Sequence, residues 1–245
     1  MGQAALQFME RGLEARALSG VGGYGGLDPR PGRVIWLDER DRLAARVRAA
    51  LEGGCDGSRT ALLGSLAAGT ADVYSDIDVE WIVPDARFDS SLESLRAVLN
   101  EVQPVADVRF DPDFLHSDRR RLVFVRFRGV PLFWRLDLSV RASSVDESYD
   151  QDEPRARAQD GEWSRPASAL ANAIGAVKAV ARRRPDDARG LIDRGFARIG
   201  SPDRATGAWI DDVARLARAA AAREPRLGDL ADETIALANE HLAHP

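Results

Sequence analysis

The stretch Leu63-Gly64-Ser65-Leu66-Ala67-Ala68-Gly69-Thr70-Ala71-Asp72-Val73-Tyr74-Ser75-Asp76-Ile77-Asp78-Val79-Glu80-Trp81 decides how this chain is read. From residue 76 acidic and apolar side chains alternate. An extended strand turns successive side chains to opposite faces, so Asp76, Asp78 and Glu80 share one face and Ile77, Val79, Trp81 and Val83 the other. The second set reads as a core face. Burying the first set without partners is very costly. Asp76 and Asp78 then stand roughly 6.7 Å apart along the strand, at about 3.3 Å per residue. Two carboxylates so spaced can grip one hard cation, and an all-oxygen ligand set selects Mg²⁺ or Mn²⁺ over zinc.

A third acid lies further on, in Phe133-Trp134-Arg135-Leu136-Asp137-Leu138-Ser139-Val140. By the same alternation Arg135, Asp137 and Ser139 share a face opposite Trp134, Leu136, Leu138 and Val140. If this strand neighbours residues 76–83, Asp137 joins Asp76 and Asp78, and three carboxylates on adjacent strands make a cage for two divalent ions. On an edge strand, Asp137 would simply be solvated. Upstream, Gly64-Ser65 closes an expected strand over 60–63 and opens a tight turn. A glycine lets the backbone approach a ligand, and its amide and the Ser65 hydroxyl can donate to phosphate oxygens.

The pattern Gly64-Ser65-x3-Gly69-x5-Ser75-Asp76-Ile77-Asp78, with Asp137 as a third acid, resembles the signature of the DNA polymerase beta-like nucleotidyltransferase superfamily. The motif-bearing likeness covers roughly residues 58–142. It implies an α+β fold, a twisted mixed sheet flanked by helices and followed by an all-helical C-terminal domain. It implies transfer of a nucleotidyl group from a nucleoside triphosphate, commonly ATP, with two bound metal ions. Carried over residue by residue, Asp76, Asp78 and Asp137 are metal ligands and catalytic residues, with Asp137 able to activate the acceptor hydroxyl. Gly64, Ser65 and Ser75 belong to the nucleotide site. Lys178, the single lysine among 34 basic residues, corresponds to a basic residue that contacts the triphosphate in several relatives; its plain alternative is a solvated helix face. Glu80 departs from the usual apolar or small residue, as an extra acid near the acceptor or a solvent-facing side chain.

The rest of the chain frames this site. With 245 residues, 44% hydrophobic and 30% charged, it is large enough for two domains and is neither disordered nor fibrous. A net charge of −5 speaks against gripping duplex DNA by bulk charge. One cysteine, Cys55, excludes a disulfide framework, and three histidines leave little for a histidine metal centre. No apolar run is long enough for a membrane span and no signal peptide is visible, so a cytoplasmic location is expected.

Helices are expected over 4–17, 38–51 with Asp38 as N-cap, and 92–102; strands over 60–63, 76–83, 105–110, 122–128 and 132–140, the last two as a hairpin. The glycine-rich 20–26 lacks the strand and helix of a phosphate loop and reads as a connector. Beyond residue 166, breaks at Pro185, Gly200-Ser201-Pro202 and Glu224-Pro225 divide an alanine- and leucine-rich region into about four helices. The expected organisation is an N-terminal extension over 1–37, a catalytic domain over 38–160 and a helical domain over 161–245.

Two-domain size resembles the small-molecule adenylyltransferases for aminoglycosides and lincosamides, with the acidic run 146–153 as a lip for a cationic acceptor. The rival readings are a toxin-like or regulatory transferase acting on tRNA or a protein, with Arg119, Arg120, Arg121, Arg126 and Arg128 as a basic groove, and a nucleotide-binding module without catalysis.

Overall fold

The computed structural model describes residues 31–145 and 156–243. The expected helix at 4–17, the glycine-rich 20–26 and the acidic run 146–153 lie outside these. The chain divides into two units, Met1–Gln159 and Asp160–Pro245.

The first unit is built on a five-stranded mixed sheet of order β1-β2-β5-β4-β3. Its strands are β1 (Arg59–Leu62), β2 (Ile77–Val83), β3 (Val105–Phe110), β4 (Arg120–Phe127) and β5 (Leu136–Ala142). β2 and β5 run parallel; the other neighbours are antiparallel. Helix α1 (Pro31–Gly54), the single turn α2 (Gly64–Ala67) and α3 (Phe88–Val102) complete it.

One face of the sheet is the expected core face. Ile77, Val79, Trp81 and Val83 on β2, Leu136, Leu138 and Val140 on β5, and Val123, Val125 and Phe127 on β4 are all buried. Leu43, Val47 and Leu51 of α1 and Leu95 and Leu99 of α3 are buried with them, at the four-residue spacing that gives a helix one apolar side. Polar clamps join helix to sheet. Glu52 of α1 accepts from the backbone N–H of Thr60 at 2.8 Å and its hydroxyl at 2.5 Å, and these bonds hold its carboxyl below the usual range.

Three sequence expectations shift. α1 begins at Pro31, a residue suited to the first helical position, so Asp38 lies inside the helix instead of capping it. α3 begins at Phe88, four residues earlier than expected. Residues 132–135 are not strand: the Trp134 N–H donates to the Pro131 carbonyl at 2.9 Å. That turn buries Phe133 and Trp134 consecutively, which no alternating strand can do.

The second unit consists of α4 (Arg165–Ala181), α5 (Pro185–Arg198), α6 (Trp209–Arg223) and α7 (Gly228–Leu242), with short connections at the expected proline and glycine breaks. Ser164 caps α4, its hydroxyl accepting from Ala167 N–H at 2.9 Å ahead of Pro166. The helix closes on Arg183 at φ +59°, with Arg183 and Arg184 N–H bonded back to Val180 and Ala179 carbonyls at 2.8 Å, the Schellman pattern with arginine where glycine is usual. Leu170, Ile192, Phe196, Val213 and Leu216 form the core of this unit.

Candidate active site

The face of the sheet opposite the core carries the acids singled out in the sequence. The register pairs Asp78 of β2 directly with Asp137 of β5, Asp137 with Phe124 of β4, and Phe124 with Arg109 of β3. Directly paired residues turn their side chains to the same face, so this row crosses four strands on one side. Asp137 thus stands on the central strand and not on an edge. Asp78 and Asp137 are both buried, at 5% and 4% exposure. Asp76 lies one residue before β2, and the Ile77 N–H donates to the Arg135 carbonyl at 2.9 Å, tying the starts of β2 and β5 together.

Gly64 follows directly on this geometry. Its φ is +55°, and a Cβ built there would lie 2.4 Å from Asp78 Oδ2. The position therefore excludes other residues twice, by backbone conformation and by the carboxylate against it. Ser65 follows in the single turn α2, partly exposed, its carbonyl accepting from Thr70 N–H at 2.9 Å. Ser75 is buried in a turn of its own. Its hydroxyl donates to Asp72 Oδ1 at 3.0 Å and accepts from Asp72 N–H at 3.1 Å. The buried Arg40 of α1 holds the same turn through the Asp72 carbonyl at 2.5 Å. Ser75 thus braces the segment that delivers Asp76. Lys178 belongs to the second unit, half-buried near the end of α4.

Arg135 is the residue that the sequence reading placed on the right face and gave no part in the site. Its Nε and Nη2 donate to Asp137 Oδ1 and Oδ2 at 2.5 and 2.6 Å, a two-pronged pair, and its Nη2 lies 3.8 Å from Asp76 Oδ2. Burial pulls the guanidinium pKa down. The charge and hydrogen bond of Asp137, then the charges of Asp76 and Asp78, reverse that and leave it above its usual value. The guanidinium also lies over the Phe124 ring at 4.7 Å, and Arg109 over the same ring at 4.4 Å. The i, i+2 spacing of Arg135 and Asp137 was the signal available in the sequence. Glu80 does not simply face solvent: Arg141 donates to it at 2.6 Å, and the pair is mostly buried.

Three carboxylates on one sheet face form a hard, oxygen-only donor set suited to Mg²⁺ or Mn²⁺. Among the described residues, no group of three or more His, Cys, Asp or Glu is gathered to hold an ion as it stands. In chemistry the three carboxylates suit a hard cation; in placement they are not gathered around one, and Arg135 engages both oxygens of Asp137.

No protein-family model matches the chain, and no curated protein matches it significantly. Among solved structures it is similar to a GLD-2/RNP-8 complex, at 13% identity over 67% of this chain and 59% of the other with a TM-score of 0.36. It is similar to a non-canonical poly(A) polymerase complex, GLD-2 with GLD-3, at 11% identity over 81% and 49% with a TM-score of 0.33. A cytoplasmic RNA terminal U-transferase gives 14% identity over 60% and 39% with a TM-score of 0.29. The chain spans between 39% and 59% of the length of these neighbours. Similarity at this level carries no argument about activity, which rests on the site's own geometry.

Proposed function

We propose that this chain is a metal-dependent nucleotidyltransferase, moving a nucleoside monophosphate, most simply AMP from ATP, onto an acceptor hydroxyl. The observation that carries this reading is the in-register pairing of buried Asp78 with buried Asp137, with Gly64 stripped of a side chain against Asp78. Two divalent ions, when bound, supply positive charge at the α-phosphate and at the leaving pyrophosphate. Asp76 and Asp78 are ligands in this reading, and Asp137 is both a ligand and the group that takes the acceptor's proton. The acceptor oxygen bonds to the α-phosphorus, the bond from that phosphorus to the bridging oxygen breaks, and pyrophosphate leaves. The Gly64 amide and Ser65 hydroxyl are assigned to the β- and γ-phosphates. Ser75 acts through the turn that sets Asp76.

The acceptor in the first reading is a small molecule bearing a hydroxyl, of the antibiotic type. A second reading, a polyanionic acceptor such as tRNA, is favoured by the arginines that share the acids' face. Arg109 and Phe124 continue the row beyond Asp137, and Arg120 and Arg126 alternate with Phe124 along β4. Pyrophosphate release with each nucleoside triphosphate and Mg²⁺ tests the reaction, and mass spectrometry of the acceptor identifies what is modified. The panel sets polyhydroxylated amines against total tRNA and protein. Metal-dependent release with adduct on one class is the expected result. Nucleotide binding with no release on any acceptor would overturn the enzyme reading in favour of a binding module.

A further inference from the structure

We infer that Arg135 is a built-in counterion that competes with divalent metal for Asp137, so that loading the site means displacing its guanidinium. The inference rests on the metal-site reading above and extends it to a residue outside the motif.

Three observations carry it. First, one guanidinium fork engages both oxygens of Asp137, at 2.5 and 2.6 Å, and reaches to 3.8 Å from Asp76. An ion that approaches Asp137 from the side the fork occupies must break at least one of those bonds, because the fork already fills one lone pair on each oxygen there. Charge-assisted two-pronged pairs are among the stronger polar contacts, so the competition is a real one. Second, the two partners differ in freedom. The Asp137 side chain is 2% exposed and fixed on the central strand, while that of Arg135 is 28% exposed and sits one residue before β5. The arginine is the partner with room to move. Third, the ring of Phe124 lies under the guanidinium at 4.7 Å, on the same face as Asp78 but on β4, which flanks β5 on the edge opposite β2. It offers a face on which Arg135 stays stacked after releasing Asp137.

The device has a physical purpose. A buried carboxylate is costly without compensating charge, and Asp76, Asp78 and Asp137 carry charge of one sign at the adjoining starts of β2 and β5. Without metal, Arg135 supplies the charge that lets the sheet close around them. With metal, the same charge is surplus beside the ions and is driven off. Metal affinity is thus set by exchange and not by an open cage, and the metal-free protein is kept folded.

The test is Mn²⁺ binding by the full chain without nucleotide, read from loss of the free-ion electron paramagnetic resonance signal, alongside thermal melting with and without Mg²⁺. The wild type is compared with Arg135→Gln, Arg135→Lys and Asp78→Asn. Arg135→Gln is expected to bind Mn²⁺ at least about tenfold more tightly, to melt lower without metal, and to gain more from Mg²⁺ than the wild type does. Arg135→Lys keeps the charge but not the fork, and is expected to fall between the two. It carries the comparison if Arg135→Gln does not fold. Binding in either variant equal to or weaker than wild type, and abolished by Asp78→Asn, would overturn the displacement while leaving the metal site standing. No saturable Mn²⁺ binding in any of them would overturn the metal site and this inference together.

Discussion

Asp137 and Asp212 are two carboxylates of nearly equal burial, each with an arginine partner, and they are built for different ends. Asp212 in the helical unit takes bonds from the Thr206 N–H at 2.8 Å, the Thr206 hydroxyl at 2.9 Å, the Gly207 N–H at 2.9 Å and Arg215 at 2.7 Å. The loop ahead of α6 is folded around it, and nothing in that arrangement calls for a further ligand. Asp137 in the sheet is met by the two prongs of a part-exposed side chain, beside two more acids of the same sign. A buried acid that ties the loop ahead of its helix to the helix itself is structural. One held by a part-exposed arginine among like charges is the pattern proposed here for a chemical role.

Exchanging each acid for its amide should separate these roles, with the largest effect on the sheet. Asp137→Asn should lower nucleotidyl transfer by at least about 10²–10³-fold, through loss of a charge that acts on the reacting groups. Its unfolding free energy should stay within about 1 kcal/mol of wild type, since Arg135 keeps Asp76 and the acids repel less. Parallel assays of turnover and urea unfolding check both halves. A large stability loss with turnover intact would reverse the comparison.

Asp212→Asn should do the opposite, with about 2–4 kcal/mol lost in urea unfolding and turnover per folded molecule unchanged. Gly64→Ala tests how tightly the sheet site is fitted. The φ of +55° and the 2.4 Å approach to Asp78 should cost about 1–3 kcal/mol and push the carboxylate aside, lowering turnover as well.

Acid pH bears on Asp212 as well. Burial raises the Asp212 pKa, and bonds from Arg215, Gly207 and Thr206 outweigh it, holding the group below its usual value. A depressed folded pKa means the unfolded chain binds the proton first. The stability it contributes is complete above the ordinary aspartate value of about 3.9 and is lost as pH falls through the lowered one. Melting followed down from about pH 5 should fall more steeply for wild type than for Asp212→Asn. The smallest effect belongs to a position near neither acid: Arg183→Gly should stabilise the helical unit by about 0.5–1 kcal/mol, because glycine adopts φ +59° without strain.

Much of this was legible in the sequence because strand periodicity is local. The alternation over 76–83 separates acids from core by inspection, and the same rule puts Asp137 and Arg135 on one face. The four helices beyond residue 160 follow from proline and glycine breaks. What could not be read is what depends on register between distant strands. Glu80 and Arg141 are 61 positions apart and meet only because β2 and β5 run parallel. Phe124 enters the acid row only through the β4 pairing. The Pro131–Trp134 turn was missed because apolar residues at 132–134 look like strand until two neighbours are both buried.

The most direct measurement is a crystal structure grown with Mn²⁺ and a non-hydrolysable nucleoside triphosphate, read by anomalous scattering. Manganese peaks bounded by Asp76, Asp78 and Asp137, with the guanidinium of Arg135 off Asp137, are the result expected here. Nucleotide bound elsewhere, or manganese absent from these three carboxylates while Arg135 still grips Asp137, would contradict it.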